Sequence, residues 1–296
     1  MKLGFSIENP ALKKNNDKDI LLANFNNLEK FLNYLKECGI KSIEIRKLTR
    51  YADIEEYKEA IQLIWDTGME ITIHGEITGN LSYNNFLEVY PSLEYILENF
   101  EKYQRNLIMP IHAYQSSEKR NREELRKKTI EELGRWSELI EQENIPLYIA
   151  LENNREKKQI VDPGNQTNDV IDMVNKVNNS HVGICWDMGH YYSNLLNDKN
   201  LTSLPENIIY QLPSDLFLDK VYHTHIHGLN QNCKTHFPLT KEKSLPLEYY
   251  LTSLENRGYN SVCNLELSLT RWGSQVSLTD EIDSTVKRLK KMNSFS

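Results

Sequence analysis

The sequence predicts a single (β/α)8 barrel that occupies residues 1–296 as one domain. Short runs of β-branched or aliphatic residues alternate eight times with longer charged segments whose apolar residues recur at helical spacing. Eight rounds in 296 residues give about 37 residues per round, which suits one strand, one helix and their loops. No Pro-, Gly- or Ser-rich linker divides the chain. A doubly wound open sheet is the main alternative.

Each of the eight predicted strands is a short apolar run bounded by polar residues. The strands are Leu3–Ile7, Ser42–Arg46, Glu70–Gly75, Leu107–Ala113, Leu147–Asn153, Val182–Gly189, Val221–Gly228 and Ser261–Ser268. The segments between them have the apolar spacing of amphipathic helices, for example in Ile20–Cys38, Glu55–Asp66, Ser92–Tyr103, Arg122–Glu143 and Pro246–Asn256.

The predicted strands have one apolar face and one face that becomes polar toward the carboxyl end. In the last strand Leu265 and Leu267 share a face, while Asn264 and Glu266 lie on the opposite one. The strand Val221–Gly228 likewise carries its three histidines on a single face. In a barrel the apolar face packs on the helices, so the polar residues are expected to point inward at the mouth where barrel enzymes place their active sites.

Composition and charge exclude several classes of protein. The chain has 35 Lys and Arg residues against 42 Asp and Glu residues, and this net charge of −7 gives no long-range attraction for nucleic acid. It contains no apolar run of about 20 residues and no N-terminal signal core, so we expect a cytoplasmic protein without a membrane span. The four cysteines lack metal-binding or redox spacing and are expected to be reduced. A small-molecule partner is favoured, and the sequence is compatible with a homo-oligomer.

Three carboxylates and most of the histidines fall at predicted strand ends. The histidines are His74, His112, His190, His223, His225, His227 and His236, and the carboxylates are Glu152, Asp187 and Glu266. At about 4 Å and an effective dielectric constant near 20, each pair of like charges costs roughly 4 kcal/mol. Three such pairs cost about as much as the whole stability of a domain. A cation or protonation must therefore balance the carboxylates, and the neighbouring imidazoles favour a divalent transition metal.

Four of these residues lie on four consecutive strands, which favours one shared metal over independent buried polar groups. The predicted ligands are Glu152, Asp187, His225 and Glu266. His223 competes with His225 for the ligand position, and we prefer His225 because it lies nearer the carboxyl end. His181 and His227 are interpreted as hydrogen-bonded structural histidines.

An ordered set of segments resembles the xylose-isomerase-like barrel superfamily, which contains sugar and sugar-phosphate isomerases and epimerases and the endonuclease IV type of abasic-site nuclease (AP endonuclease family 2). The segments are Ile71–His74, Met109–His112, Ala150–Asn153, Val182–His190, His223–His227, Thr235–Leu239 and Gly258–Glu266. The resemblance covers almost the whole chain. It implies that the four predicted ligands bind one divalent ion.

The resemblance also implies roles for four further histidines. His190 matches a histidine that contacts substrate in the isomerases or a further zinc in the nucleases, and His74, His112 and His236 match nuclease zinc ligands. Two positions depart from the family patterns. Lys234 stands where the nucleases have an aspartate, and Gln231 stands where several ketose epimerases have an arginine. A trinuclear zinc centre and the substrate handling of those epimerases are therefore both in question.

Two enzymatic hypotheses follow from the sequence and the resemblance. The first is an isomerase or epimerase of a small sugar or sugar phosphate that depends on Mn²⁺, Zn²⁺, Co²⁺ or Mg²⁺, with Glu152 and Glu266 transferring a proton through an enediolate. Arg155 and Lys234 would bind a phosphate or carboxylate, unless they are solvated loop cations. The second is a zinc-dependent phosphodiesterase acting on abasic DNA, which the acidic charge disfavours. A third hypothesis is a barrel that keeps the metal but acts as a binding or partner protein rather than an enzyme.

Overall fold

The computed structural model describes residues 1–7, 24–46, 54–76, 91–118, 121–198, 209–230, 232–239, 245–268, 277–292 and 294–295. Its strands are β1 Lys2–Ile7, β2 Ser42–Arg46, β3 Glu70–His74, β4 Leu107–His112, β5 Leu147–Glu152, β6 Val182–Asp187, β7 Val221–Ile226 and β8 Val262–Leu265. Every one corresponds to a predicted strand. The main difference is that several end one to three residues earlier than the sequence predicts.

The described helices surround the strands. They are α1 Leu28–Glu37, α2 Ile54–Asp66, α3 Pro91–Asn99, α4 Arg122–Gln142, α5 Thr167–Val177, α6 Met188–Asp198, α7 Asp215–Leu218, α8 Leu247–Glu255 and α9 Leu278–Lys290. Within the described ranges, no helix has the length and apolarity that a membrane span requires.

The first helix is shorter than predicted. It begins at Leu28 because Asn27 caps it, with the Asn27 side chain accepting a hydrogen bond from the Lys30 backbone N–H at 2.9 Å. Asn26 has a positive φ of 65°, which breaks a continuous helix at that point. The prediction of one continuous helix over Ile20–Cys38 is therefore wrong at Asn26 and Asn27, where the helix is interrupted; Asn24 and Phe25 are helical, and residues 20–23 lie outside the described residues.

All strand pairs in the sheet are parallel, in the order β3-β2-β1-β8-β7-β6-β5-β4. The two ends of this sheet meet where Gly75 forms a parallel bridge with Ile111 and its N–H donates to the Pro110 carbonyl at 2.8 Å. The sheet thus closes on itself, and the structure confirms the (β/α)8 barrel over the open-sheet alternative.

The alternation of faces is clear in β6, where all six residues are buried. Trp186 lies on the outer face, with its ring centroid 5.0 Å from that of Tyr250 in α8. Asp187 and Cys185 lie on the opposite face and contact residues of neighbouring strands inside the barrel. Polar side chains therefore converge on the barrel axis while the apolar ones anchor the helices.

Candidate metal centre at the carboxyl end of the barrel

Three atoms from three strand ends meet at the centre of the mouth. The Nδ1 atom of His225 lies 3.3 Å from Glu152 Oε1 and 3.2 Å from Glu266 Oε2. Glu266 follows β8 directly, and its backbone N–H donates to the Ile226 carbonyl at 3.1 Å, which extends the contact with β7. All three side chains are at least 97% buried.

These three atoms fit a metal ion. Among the described residues none of them has a hydrogen-bond partner of acceptable geometry, although buried polar atoms are normally paired. Ligand atoms bound to a divalent ion at about 2.0–2.2 Å are separated from one another by roughly 3–3.5 Å. The observed separations fall in this range, and the set of one imidazole and two carboxylates suits Zn²⁺, Mn²⁺ or Co²⁺.

Asp187, the fourth predicted ligand, reaches this group through His190. The Nδ1 atom of His190 lies 3.2 Å from Asp187 Oδ2 and 3.6 Å from Glu152 Oε1. Asn153 fixes the Asp187 backbone, because its amide donates to the Asp187 carbonyl and accepts the Asp187 N–H, both at 2.8 Å. Barrel closure thus brings three of the predicted ligands into one group, and Asp187 is linked to that group only through His190.

A second group of metal-binding side chains surrounds Asp187. It consists of Asp187, His190, His227 and His236, whose ligand atoms all lie within 4.8 Å of one another. His227 Nε2 lies 3.1 Å from Asp187 Oδ1, and the His227 and His236 rings stack at a centroid distance of 4.5 Å. His227 is interpreted from sequence as a structural histidine, yet it belongs to this group.

A third group joins two further predicted histidines to Glu152. His74 Nε2 and His112 Nε2 lie 3.0 and 3.1 Å from Glu152 Oε2. Glu152 therefore presents one oxygen to the first group and the other to the two histidines. The residues predicted from the resemblance to contribute to a second metal all lie at the mouth.

Gly189 makes room for the His227 ring, and substitution of this glycine tests the packing. A Cβ atom at Gly189 would lie 2.0 Å from a carbon of the imidazole, so we expect Gly189→Ala to lower the free energy of unfolding by about 1–3 kcal/mol. The matched control is Gly134→Ala in α4, where a Cβ atom meets nothing within 4 Å and stability should rise by up to about 1 kcal/mol. Urea unfolding measures both changes, and an equal effect of the two substitutions would contradict the packing.

Sequence reasoning missed two charged residues of the site, both in β2. Glu44 is fully buried, with its Oε2 atom 3.0 Å from Nε2 of both His223 and His225. Arg46 contacts Glu266 Oε1 through its guanidinium at 3.1 Å. The signal was available for Glu44, because a glutamate between Ile43 and Ile45 occupies the inward face of a buried strand.

Charges inside the barrel shift the titration of the site. Burial alone would raise the pKa of Glu152, but His112 and His225 hold it well below its ordinary value. Burial would also raise the pKa of Glu266, and Arg46 is the main group that lowers it instead. Burial lowers the pKa of His190 to about 3, which keeps this imidazole neutral at pH 7. The two glutamates are therefore carboxylates at neutral pH.

The predicted substrate-binding cations lie at the rim. Arg155 is half-buried, and its guanidinium donates to Thr235 Oγ1 at 3.4 Å, beside His236. Lys234 is exposed, and Gln231 lies outside the described residues. His181 lies away from the mouth, where its Nδ1 is 2.9 Å from the Leu147 carbonyl at the start of β5.

Comparison with known proteins gives one family and many similar structures. A family model described as xylose isomerase-like TIM barrel matches residues 32–292. The structure is similar to D-psicose 3-epimerase from Clostridium cellulolyticum H10, solved with D-tagatose, at a TM-score of 0.62, 14% identity and 100% coverage of both chains. It is also similar to the IolI protein with a bound zinc atom, at a TM-score of 0.59 and 17% identity over 98% of this chain and 96% of that one. A xylose isomerase domain protein from Alicyclobacillus acidocaldarius matches at a TM-score of 0.59 and 13% identity, over 99% and 98% of the two chains. No curated protein sequence matches the chain.

Proposed function

The chain belongs to the xylose isomerase-like TIM-barrel family, and on this basis we propose that it is a divalent-metal-dependent isomerase or epimerase of a small sugar or sugar phosphate. The observation that carries the proposal is the meeting of Glu152 Oε1, His225 Nδ1 and Glu266 Oε2 without hydrogen bonds at the barrel mouth. Similar structures include 3-epimerases described as acting on D-allulose, D-psicose and L-ribulose.

Glu152, Asp187, His225 and Glu266 would hold the ion. A bound divalent ion supplies Lewis-acid stabilisation of the negative charge that develops on oxygen when a proton leaves the adjacent carbon. Glu152 and Glu266 are ionised at neutral pH and face the same centre from β5 and β8. One carboxylate removes the carbon-bound proton and the other returns a proton, so that the substrate passes through an enediolate.

Arg46 and the histidines prepare the two carboxylates for unequal roles. Arg46 pairs with Glu266 Oε1 and leaves Oε2 toward the centre. His74 and His112 approach Glu152 Oε2 and leave Oε1 toward the centre. Each glutamate is thereby oriented through one oxygen and directs the other at the centre. Arg155 at the rim would bind a phosphate or carboxylate of the substrate.

Exchange with solvent tests this proposal directly. The purified chain, loaded with Mn²⁺, Co²⁺ or Mg²⁺, is incubated in D₂O with a panel of ketopentoses, ketohexoses and their phosphates. We expect deuterium at the carbon next to the carbonyl in one substrate of the panel, together with its epimer or aldose, as measured by NMR. Absence of carbon-bound deuterium in every substrate, with the ion bound, would overturn the proposal.

A second candidate is a zinc-dependent phosphodiesterase acting on abasic DNA. It is favoured by the two additional groups, His74 and His112 around Glu152, and the three histidines around Asp187. Clustered ions would activate water and neutralise phosphate charge. The net charge of −7 opposes it, because duplex binding relies on phosphate-neutralising cations. Two or three tightly held zinc ions per chain and incision of abasic duplex DNA would favour the nuclease; one exchangeable ion favours the isomerase.

A further inference from the structure

A buried carboxylate lies directly behind the candidate metal centre. Glu44 sits in the middle of β2 with no solvent exposure. The strand register pairs it with Ser6 in β1 and Thr72 in β3. Ser6 Oγ donates to Glu44 Oε1 at 2.8 Å, and Asn264 donates in turn to Ser6 Oγ at 2.7 Å. The position of this carboxylate is therefore fixed by neighbouring strands.

Two imidazoles share the other oxygen of Glu44. The Nε2 atoms of His223 and His225 both lie 3.0 Å from Oε2, and their rings are nearly perpendicular, at 87°. A carboxylate can only accept a hydrogen bond, so each Nε2 must carry the proton in these contacts. The alternative would place a nitrogen lone pair against a buried carboxylate oxygen without compensation.

The proton on Nε2 determines what the rest of the His225 ring can do. Its other nitrogen, Nδ1, faces Glu152 Oε1 at 3.3 Å and Glu266 Oε2 at 3.2 Å. With the proton on Nε2, a neutral ring presents the Nδ1 lone pair to those two carboxylates, which is the arrangement that a metal ligand requires. His223 contacts the same Glu44 oxygen at 3.0 Å and packs against Glu44 from the other side.

We propose that Glu44 is the positioning residue of the metal centre, holding His225 as the Nε2–H tautomer with Nδ1 directed at the ion. This inference rests on the proposed function only in that Glu152, His225 and Glu266 bind a divalent ion. Glu44 would act through His225, because Ser6 engages one of its oxygens and the two imidazoles engage the other. Its place in β2, far along the chain from the ligands on β5 to β8, explains why the ligand motifs alone do not reveal it.

The first test observes the wild-type protein and uses a variant only to assign its spectrum. Wild-type protein with ¹⁵N-labelled histidine is loaded with Zn²⁺, and its imidazole resonances are assigned by comparison with His225→Asn. We expect the His225 spectrum to show a protonated Nε2 and a Nδ1 shifted by zinc. A protonated Nδ1 with zinc at Nε2, or no zinc-shifted His225 resonance, would overturn the assignment.

The second test is Glu44→Gln, which keeps the size of the side chain and removes its charge. The Zn²⁺ affinity is expected to fall about 10–100-fold, as typical for removal of the group that orients a metal-binding histidine. Glu44→Asp, which restores the carboxylate, should recover part of the loss. The matched control is Glu132→Gln, a buried glutamate in α4 that pairs with Arg135 and contacts no histidine of the site. Its Zn²⁺ affinity should equal that of wild type.

The outcomes separate this inference from the proposed function. Wild-type protein that binds no Zn²⁺ removes the metal centre and both proposals with it. Wild-type affinity in Glu44→Gln, with the ion bound, refutes the positioning role alone and leaves the proposed function standing.

Discussion

Replacing either Glu152 or Glu266 by glutamine is expected to reduce solvent exchange at the substrate carbon by about 10²–10⁴-fold. Glu152 at the end of β5 and Glu266 after β8 each direct one carboxylate oxygen at His225 Nδ1. Glutamine preserves the size of the side chain and one oxygen that can bind an ion. It can neither accept the carbon-bound proton nor return one, so the proton-transfer step is what the substitution removes.

Two measurements make this result specific. The metal content of each variant is determined by elemental analysis beside the exchange rate, because a variant that keeps its ion and loses activity has lost proton transfer rather than metal. Glu132→Gln again provides the control for a buried glutamate outside the mouth, and its exchange rate should match wild type. Exchange at the wild-type rate in both site variants would remove these carboxylates from the reaction.

The barrel could be predicted because each of its strands can be recognised from its own short segment of sequence. Each strand is a short apolar run with its own boundaries, and the polar residue at its end marks the mouth, as Glu152 and Asp187 illustrate. The inward position of Glu44 can be seen in the sequence, but its role could not be predicted, because that role comes from the register that places it beside Ser6 and Thr72, which lie 38 and 28 residues away along the chain. Register between separate strands is not encoded in any one segment. The interruption of the first predicted helix at Asn26 reflects a positive φ that apolar spacing does not report.

The same distinction applies to the histidines of β7. The sequence places His223, His225 and His227 on one face, but it leaves their partners undefined. The structure divides them among three tasks. His223 contacts Glu44 alone of the site carboxylates, His225 contacts Glu44 and both central glutamates, and His227 contacts Asp187. Depth along one strand, in steps of two residues, therefore assigns each ring to a different layer of the barrel.

The affinity of the centre for Zn²⁺ is expected to fall as the pH is lowered from 8 to 6, by at most about tenfold per pH unit for one displaced proton. Burial alone would lower the pKa of His225, but Cys185 and the surrounding carboxylates raise it well above the ordinary value. This raised pKa favours the protonated ring in the metal-free protein, where the positive charge would compensate the glutamates around it. An ion at Nδ1 must displace that proton, so lower pH favours the proton and higher pH favours the ion.

Calorimetric titration with Zn²⁺ in two buffers of different ionisation enthalpy measures this exchange, and we expect about one proton released per ion bound at pH 7. His181→Asn is the matched control, because His181 contacts the Leu147 carbonyl at the other end of the barrel and its loss should leave both affinity and proton release unchanged. Affinity that is constant from pH 6 to pH 8, with no proton released, would show that His225 is not the ligand whose proton the ion replaces. Such a result would also mean that a proton on His225 does not balance the charge of the glutamates. Arg46 and the other histidines would then be the groups that compensate these carboxylates.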